Sequence, residues 1–134
     1  MNQIEMVVDS VGVALINYQK TIILKEKEGK RCLAMWVGTW EADAIATGLQ
    51  KMYSQVPLTH DFLFSVIDRF GATLKYVTVN TLEGDTFHAL ASLEKDGKTI
   101  EIPCRPSDAF AIAIRAGAPI FVTEDILERS GAIT

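Results

Sequence analysis

The chain alternates between two patterns of apolar residues, one with the period of a β-strand and one with the period of an α-helix. Runs rich in β-branched and aromatic residues, with apolar side chains at about every second position, predict strands. Three such runs precede a helical pattern in each half of the chain, at residues 3–17, 21–28 and 32–37 and again at 74–79, 87–94 and 99–102. The sequence therefore predicts the order strand, strand, strand, helix twice.

Apolar residues spaced three and four apart predict the first two helices. One covers roughly residues 41–53, and the next begins near Thr59 and ends at Gly71, since glycine suits the C-terminal end of a helix. We expect each helix to turn its apolar residues toward the core. These residues are Ala42, Ile45, Leu49 and Met52 in the first helix, and Phe62, Leu63, Val66, Ile67 and Phe70 in the second.

The C-terminal part of the chain predicts two more helices and a short strand. The helix from about 107 to 116 is apolar on nearly all sides, so we expect it to be deeply buried. A strand over 119–122 leads to the last helix, for which Thr123 is the predicted N-cap residue.

A faint internal repeat supports the same order of elements. Residues 41–46 (Glu-Ala-Asp-Ala-Ile-Ala) and 108–113 (Asp-Ala-Phe-Ala-Ile-Ala) are identical at four of six positions. Upstream of each, an acidic residue is followed by Gly-Lys, at 28–30 and 96–98, where we expect hairpin turns. The repeat predicts that Glu41 and Asp108 hold equivalent positions.

Length and composition indicate one compact domain over residues 1–134. We expect an α+β fold in which a mixed sheet and helices form two layers, built from two related β-β-β-α halves at about 1–56 and 57–134. The N-terminus lacks the basic region of a signal peptide, and no apolar run is long enough to cross a membrane. We therefore expect a cytoplasmic protein with no membrane partner. Cys32 and Cys104 match no metal or redox spacing and are expected to be reduced thiols.

The net charge of −4 counts against a simple nucleic-acid binder, because neutralisation of phosphates supplies most non-specific affinity. It does not exclude a nuclease whose basic residues are local or whose carboxylates hold a divalent ion. The sequence contains no dinucleotide-binding, Walker-type or standard zinc motif.

Three polar segments, residues 38–42, 57–61 and 105–109, lie where helices are predicted to begin. A helix N-terminus offers free N–H groups and the positive end of the helix dipole, which suits a phosphate. The same position has a structural explanation, because a serine N-cap such as Ser107 and an acid in the first turn stabilise a helix without any ligand.

Glu41 and Asp108 are candidate catalytic carboxylates. At equivalent positions of the two halves, they could together hold Mg²⁺ or Mn²⁺ and activate water against a phosphodiester. The alternative is that each acid only stabilises its own helix N-terminus.

His60 and Asp61 form a second candidate catalytic pair. Histidine is the side chain best suited to proton transfer near neutral pH, and this one follows a proline turn at a helix start. The alternative is a structural one, with Thr59 as N-cap and Asp61 in the first turn.

Arg105, Ser107 and Arg115 are the candidate phosphate-binding residues. Arg105 precedes a proline and is expected to be extended at a strand end, where it can reach a phosphate or pair with Asp108. Arg115 lies on one helical face with Asp108, and a charge on an apolar helix needs a partner or a ligand. An internal salt bridge is therefore the alternative to a phosphate contact.

Four segments in this order resemble the bifunctional nuclease domain family. They are residues 33–46 (Leu-Ala-Met-Trp-Val-Gly-Thr-Trp-Glu-Ala-Asp-Ala-Ile-Ala), 57–61 (Pro-Leu-Thr-His-Asp), 105–115 (Arg-Pro-Ser-Asp-Ala-Phe-Ala-Ile-Ala-Ile-Arg) and 117–122 (Gly-Ala-Pro-Ile-Phe-Val). The resemblance covers roughly residues 4–130. It implies a mixed α/β fold, a homodimer or higher homo-oligomer, and nuclease activity on DNA and RNA.

The leading hypothesis is thus a nuclease that hydrolyses phosphodiester bonds, with Mg²⁺ or Mn²⁺ as a possible cofactor and nucleic acid as substrate. Two alternatives from other classes stay open. One is a non-catalytic oligomeric module that binds a small anionic ligand or a protein partner, and the other is an oligomeric scaffold in which the same polar residues join subunits.

Overall fold

The computed structural model describes residues 2–13, 17, 19–51 and 56–130. Within these residues the chain forms a mixed seven-stranded sheet and four helices, which confirms the predicted α+β fold. In chain order the elements are β1 (Gln3–Val13), β2 (Lys20–Glu26), β3 (Cys32–Val37), α1 (Thr39–Leu49), α2 (Thr59–Arg69), β4 (Thr73–Glu83), β5 (Thr86–Lys95), β6 (Lys98–Cys104), α3 (Pro106–Ala116), β7 (Ile120–Thr123) and α4 (Glu124–Arg129).

The sheet is arranged around β7. Its strand order is β3-β2-β1-β7-β4-β5-β6, so one antiparallel three-stranded meander lies on each side of β7. β7 pairs antiparallel with β1 and parallel with β4. Each meander continues directly into a helix, α1 after β3 and α3 after β6, and this matches the β-β-β-α order that the sequence predicts.

The hairpin between β5 and β6 has the turn that its sequence requires. Asp96 and Gly97 both have positive φ, 53° and 76°, as a two-residue type I′ turn demands. Lys95 pairs with Lys98 across this turn, and the register continues to Ala89 opposite Cys104. The turn therefore fixes the register of β6 on β5, and β6 ends at Cys104, directly before Arg105 and α3.

The core lies between the sheet and a layer of helices. α3 contacts α1, α2, β4 and β5, and its residues 109–113 are buried, as its apolar sequence predicts. α1 and α3 approach closely at the buried Gly48, where a Cβ atom would lie 3.1 Å from the side chains of Arg115 and Ile114. Glycine in a helix interior is unfavourable by roughly 0.5–1 kcal/mol relative to alanine, so this position serves the packing of α3 on α1.

The prediction that α2 turns its apolar face into the core is wrong. Ile67 packs against the core, but α2 has no fully buried residue. The other apolar residues of this face are exposed: Phe62 (65%), Leu63 (38%), Val66 (38%) and Phe70 (74%). Periodicity shows that a helix has an apolar face, but it does not show whether the same chain covers that face.

The remaining predicted boundaries need smaller corrections. In α1, Ala42 and Ile45 are buried as predicted, whereas Leu49 is 37% exposed, and the predicted core residue Met52 lies outside the described residues. Of the predicted first strand, residues 3–13 form β1 and residue 17 lies in a turn, while residues 14–16 are outside the described part. Gly71 follows α2 with φ of 80°, as expected at a helix C-terminus.

Two of the three predicted N-cap residues differ from the observed ones, by one or two positions. The N-cap of α3 is Arg105 rather than Ser107, which is the second helical residue behind Pro106. Leu58 rather than Thr59 caps α2. Thr123 is the N-cap of α4 as predicted, although its buried hydroxyl has no hydrogen-bond partner among the described residues.

The two cysteines are unpaired and half-buried. Burial raises the pKa of the Cys104 thiol to about 11, so it is not a reactive thiolate near neutral pH. No described helix is both long and apolar enough to span a membrane.

Candidate functional site

The three polar segments singled out in the sequence meet at the starts of α1, α2 and α3. Glu41, Asp61 and Asp108 are each the third residue of their helix, and each is joined to an arginine. The matching places of Glu41 and Asp108 agree with the internal repeat. The fold thus brings together carboxylates that are far apart along the chain.

Asp108 is the centre of this group. Arg105 donates from Nε to Asp108 Oδ2 over 2.8 Å and from Nη2 to Oδ1 over 3.1 Å, which is a bidentate pair. His60 Nε2 lies 2.9 Å from the same Oδ1. The side chains of His60 and Asp108 are 12% and 28% exposed, so the contact is partly shielded from water. One carboxylate therefore orients both a histidine and an arginine.

Glu41 extends the group on the α1 side. Its Oε1 lies 3.8 Å from Arg105 Nη1, which is an ion pair without a hydrogen bond. The Glu41 carboxylate also folds back over Gly38, the N-cap residue, so that a Cβ atom at position 38 would collide with it. A side chain at position 38 would therefore displace the Glu41 carboxylate from this place.

Asp61 and Arg115 form a separate ion pair behind His60. Arg115 Nε donates to Asp61 Oδ1 over 2.6 Å, and Arg115 Nη1 donates to the carbonyls of Ala44 and Ala111. The Arg115 side chain is only 3% exposed. Asp61 also accepts the N–H of Leu58 over 3.0 Å. Arg115 thus ties the first turn of α2 to α1 and α3, and the internal salt bridge, not an open phosphate site, is the geometry that the structure favours for it.

The electrostatics follow from these contacts. The hydrogen bond from Arg115 lowers the pKa of the Asp61 carboxyl despite partial burial, and the Leu58 amide adds to this effect. Burial raises the pKa of Asp108, but the hydrogen bonds from Arg105 and His60 outweigh burial and leave the net pKa below its ordinary value. Both aspartates are therefore ionised near neutral pH.

These lowered pKa values predict a loss of stability in acid. A carboxyl with a lowered folded-state pKa stabilises the fold above its unfolded pKa, near the ordinary 3.8, and the contribution disappears as the pH falls through the folded value. We expect the free energy of urea unfolding to fall steeply below about pH 4. The fall should be shallower in Asp61→Asn, whereas Asp43→Asn, at an exposed position on α1, should keep the wild-type slope. Equal slopes in all three proteins would contradict the assignment.

The predicted divalent-metal site does not fit this arrangement. Among the described residues, no group of three or more His, Cys, Asp or Glu side chains is placed to hold a metal ion. Arg105 pairs with both predicted ligands, Glu41 and Asp108, so a cation between them would have to displace the guanidinium. A requirement for Mg²⁺ or Mn²⁺ therefore stays a prediction.

A cleft of about 840 Å³ opens beside the ion-pair group. Ser107 and Arg105 line one side, and Trp36 of β3, Phe87 of β5 and Arg129 of α4 line others. Ser107 is mostly buried at the wall of this cleft, and Arg105 is 65% exposed. Arg105 thus belongs both to the cleft and to the pair with Asp108.

The structure therefore brings together five of the seven candidate residues around Arg105 and the cleft, and places the Asp61–Arg115 pair behind them. Sequence reasoning missed Trp36 and Arg129. The strand alternation could have placed Trp36 outward, since its neighbours Met35 and Leu33 are in the core. Nothing in the local sequence of Arg129 indicates a cleft that is built from distant segments.

Comparison with known proteins supports the resemblance. Residues 22–134 match the bifunctional nuclease domain. This chain belongs to the bifunctional nuclease domain family. It is also similar to two proteins of Mycobacterium tuberculosis, the uncharacterized protein MT1877 of strain CDC 1551 / Oshkosh and the uncharacterized protein Rv1829 of strain ATCC 25618 / H37Rv. Each is 38% identical over 115 residues, which is 86% of this chain and 68% of the relative.

Membership in the bifunctional nuclease family suggests a nuclease-related function and contact with nucleic acid. Both relatives are described as uncharacterized, so they assign no catalytic residue.

Proposed function

We propose that this bifunctional nuclease domain hydrolyses phosphodiester bonds of DNA and RNA at the group formed by His60, Asp108 and Arg105. The observation that carries the proposal is the shared contact of Asp108: one carboxylate orients a histidine on one side and an exposed arginine on the other. A base for water and a cation for phosphate thus lie next to each other.

His60 is the proposed general base. When Nε2 carries the ring proton and donates it to Asp108, the lone pair of Nδ1 is available to accept a proton. Nδ1 forms no hydrogen bond within the described part of the chain. In the proposed reaction Nδ1 takes a proton from water as the water oxygen bonds to phosphorus, and the P–O bond to the leaving nucleotide breaks with its electron pair on the leaving oxygen. The leaving oxygen takes a proton from solvent, and the imidazolium then returns its proton to solvent. The Asp108 carboxylate stabilises the imidazolium that forms.

Arg105 is the proposed phosphate contact. Its Nε and Nη2 hold Asp108, whereas Nη1 is 3.8 Å from Glu41 and makes no hydrogen bond among the described residues. That edge can donate to a non-bridging phosphate oxygen without breaking the pair with Asp108. A guanidinium fixed in advance stabilises the negative charge that grows on phosphate in the transition state.

Asp61 and Arg115 are proposed positioning residues. Their ion pair fixes the first turn of α2 against α1 and α3, and His60 is the residue before Asp61. The Glu41 carboxylate lies next to the Arg105 guanidinium on the α1 side, and their ion pair is proposed to hold the guanidinium in place. Ser107, at the cleft wall, is proposed to donate its hydroxyl to the phosphate.

The experiment is cleavage of labelled single- and double-stranded DNA and RNA by highly purified protein, with Mg²⁺, with Mn²⁺ and with EDTA. We expect cleavage that co-elutes with the protein through a final sizing column. Loss of activity in EDTA and its return with Mn²⁺ would support the predicted metal. No cleavage in any buffer would favour the alternative of an anion-binding module, which the exposed edge of Arg105 also suits.

The exposed face of α2 supports a proposal about assembly: we propose that a second copy of this chain covers it. Phenylalanines bury about 150–250 Å² each, so the exposed parts of Phe62 and Phe70 present roughly 200–350 Å² together. With Leu63 and Val66 the face reaches the size of apolar patches that mark interaction sites. A standard interface needs about 800 Å² from each partner, so α2 would form the centre of such an interface.

Replacing Phe62 and Phe70 together by serine should shift the protein from oligomer to monomer. We expect self-association at least ~30-fold weaker, since central aromatic residues contribute most of the energy of an interface. Light scattering across a dilution series measures the change. Ile100→Ser with Ile102→Ser is the matched control, because these isoleucines are also exposed but lie on the edge strand β6. A monomeric wild type, or an oligomer that only the control disperses, would contradict the proposal.

A further inference from the structure

The cleft beside Arg105 has walls of mixed chemistry. Trp36 is 67% exposed and lines it from β3, and Phe87 is half-buried on β5. Arg105, the residue before α3, and Arg129, the last residue of α4, also line the cleft. The cleft therefore combines aromatic surface with two guanidinium groups.

Arg129 is held by a backbone carbonyl and by a long, exposed ion pair with Asp125. Its Nη2 donates to the Leu82 carbonyl over 2.9 Å, and its Nη1 is 3.9 Å from Asp125. The side chain remains 55% exposed. An arginine anchored by a backbone carbonyl keeps further N–H groups for an anion. The nuclease mechanism proposed above does not use Arg129.

We propose that this cleft binds the unpaired bases and backbone of single-stranded nucleic acid, with a base stacked on Trp36 and a second phosphate on Arg129. The inference rests on the proposed nuclease function and names its substrate class. An aromatic side chain can stack only on a base whose face is free, and this holds for single strands and not for the interior of a duplex. Every base has such a face, so a stacking site accepts both DNA and RNA.

The volume of the cleft and the net charge of the protein both favour a short single strand. A volume of about 840 Å³ lies within the range of small-ligand sites, roughly 300–1,000 Å³, and suits a short nucleotide segment. Duplex binding depends on neutralising many phosphates over a basic surface. This protein has a net charge of −4, and Asp85 adds a carboxylate to the cleft itself. The contact is therefore limited to a few nucleotides between two arginines.

The test uses the small number of tryptophans. The chain has two, Trp36 and Trp40, and both are exposed. Trp40 does not line the cleft, so Trp40→Phe leaves Trp36 as the only fluorescent tryptophan at the proposed site. Hexanucleotides of DNA and RNA linked by phosphorothioates resist cleavage and serve as probes, with the same hexamer sequence inside a longer, stable duplex of the same chemistry as the comparison.

We expect the single-stranded hexamers to quench Trp36 and to bind at least tenfold more tightly than the duplex. In anisotropy measurements with a labelled hexamer, Trp36→Ala should weaken binding at least fivefold, the lower end of stacking effects, and Trp36→Phe should restore most of it. Arg129→Gln should also weaken binding at least fivefold and reduce its dependence on salt. Trp40→Ala is the matched control and should stay within twofold of the wild type. Thermal unfolding of each variant checks the fold.

The outcomes separate this inference from the proposed activity. Cleavage of duplex and single strand at equal rates, unchanged in Trp36→Ala and Arg129→Gln, would overturn the cleft as a single-strand site and leave the nuclease intact. Tight single-strand binding that depends on Trp36, with no cleavage of ordinary DNA or RNA, would support the cleft and overturn the nuclease. Neither binding nor cleavage would overturn both.

Discussion

Replacing His60 by alanine is expected to lower kcat for phosphodiester cleavage by about 10²- to 10⁴-fold, the usual contribution of a positioned general base. The structure gives the reason: His60 contacts Asp108 at 2.9 Å, and Asp108 also holds Arg105, so the base and the phosphate contact share one anchor. KM should change little, because Arg105 and the cleft are untouched. Initial rates on a labelled single-stranded substrate measure both constants.

His88→Ala is the matched control, since the chain has two histidines and His88 is exposed on β5. It should retain the wild-type kcat. Asp108→Asn should lower kcat as strongly as the His60 variant, because the amide cannot stabilise an imidazolium, and it should also change the pH profile of the rate. A His60→Ala protein that is folded and as active as His88→Ala would exclude His60 as the base and move the search to another residue near Arg105.

The sequence predicts most of the fold because the relevant signals are local. The strand patterns, the Asp96-Gly97 turn and the apolar sequence of α3 each act over a few residues, and the structure confirms the elements that they predict. In β6 the strand is confirmed, although Ile100 and Ile102 are exposed. The internal repeat predicts more than local structure. It anticipates that Glu41 and Asp108 hold equivalent positions, and both are the third residue of a helix that follows a meander.

The sequence does not predict which surfaces the fold leaves open. The apolar face of α2 has the same period whether it packs on this chain or on another. The pattern therefore predicts Phe62 and Phe70 as core residues, and the structure shows both to be exposed. The sequence does not predict the cleft, for a different reason. Its walls come from β3, the β4–β5 turn, α3 and α4, and no local pattern at Arg129 points to the others.

The candidate site is predictable from the sequence only in part. Residue types and helix starts are visible in the sequence, and they identified His60, Asp61 and Asp108. Their partners are not visible, because the contacts join residues 48 and 54 positions apart. The sequence left a phosphate contact and an internal salt bridge open for Arg105 and Arg115. The structure shows an ion pair for both: Arg115 is buried against Asp61, and Arg105 pairs with Asp108 while its side chain stays 65% exposed beside the cleft. A phosphate contact by Arg105 stays a prediction.

Asp61→Asn is expected to lower the free energy of unfolding by ~3 kcal/mol, at the lower end of the range for breaking a buried ion pair. The substitution leaves the Arg115 guanidinium, 3% exposed, without its carboxylate. Arg115 Nη2 already has no hydrogen-bond partner among the described residues, so the charge depends on Asp61 for compensation. Asp61 itself is 18% exposed, and water entering on that side keeps the loss from being larger. Urea unfolding near neutral pH measures the effect.

The double variant Asp61→Asn with Arg115→Met tests whether the loss comes from uncompensated charge. Methionine removes the buried guanidinium, and replacement of a buried pair by uncharged residues is often neutral, so most of the ~3 kcal/mol should return. Glu5→Gln is the matched control, because it breaks the exposed Lys27–Glu5 pair and should change stability by less than ~1 kcal/mol. If the double variant is as unstable as the sum of both single variants, the two residues are not coupled. In that case α2 is held to α3 by its apolar contacts, and the alignment of His60 with Asp108 does not depend on Arg115.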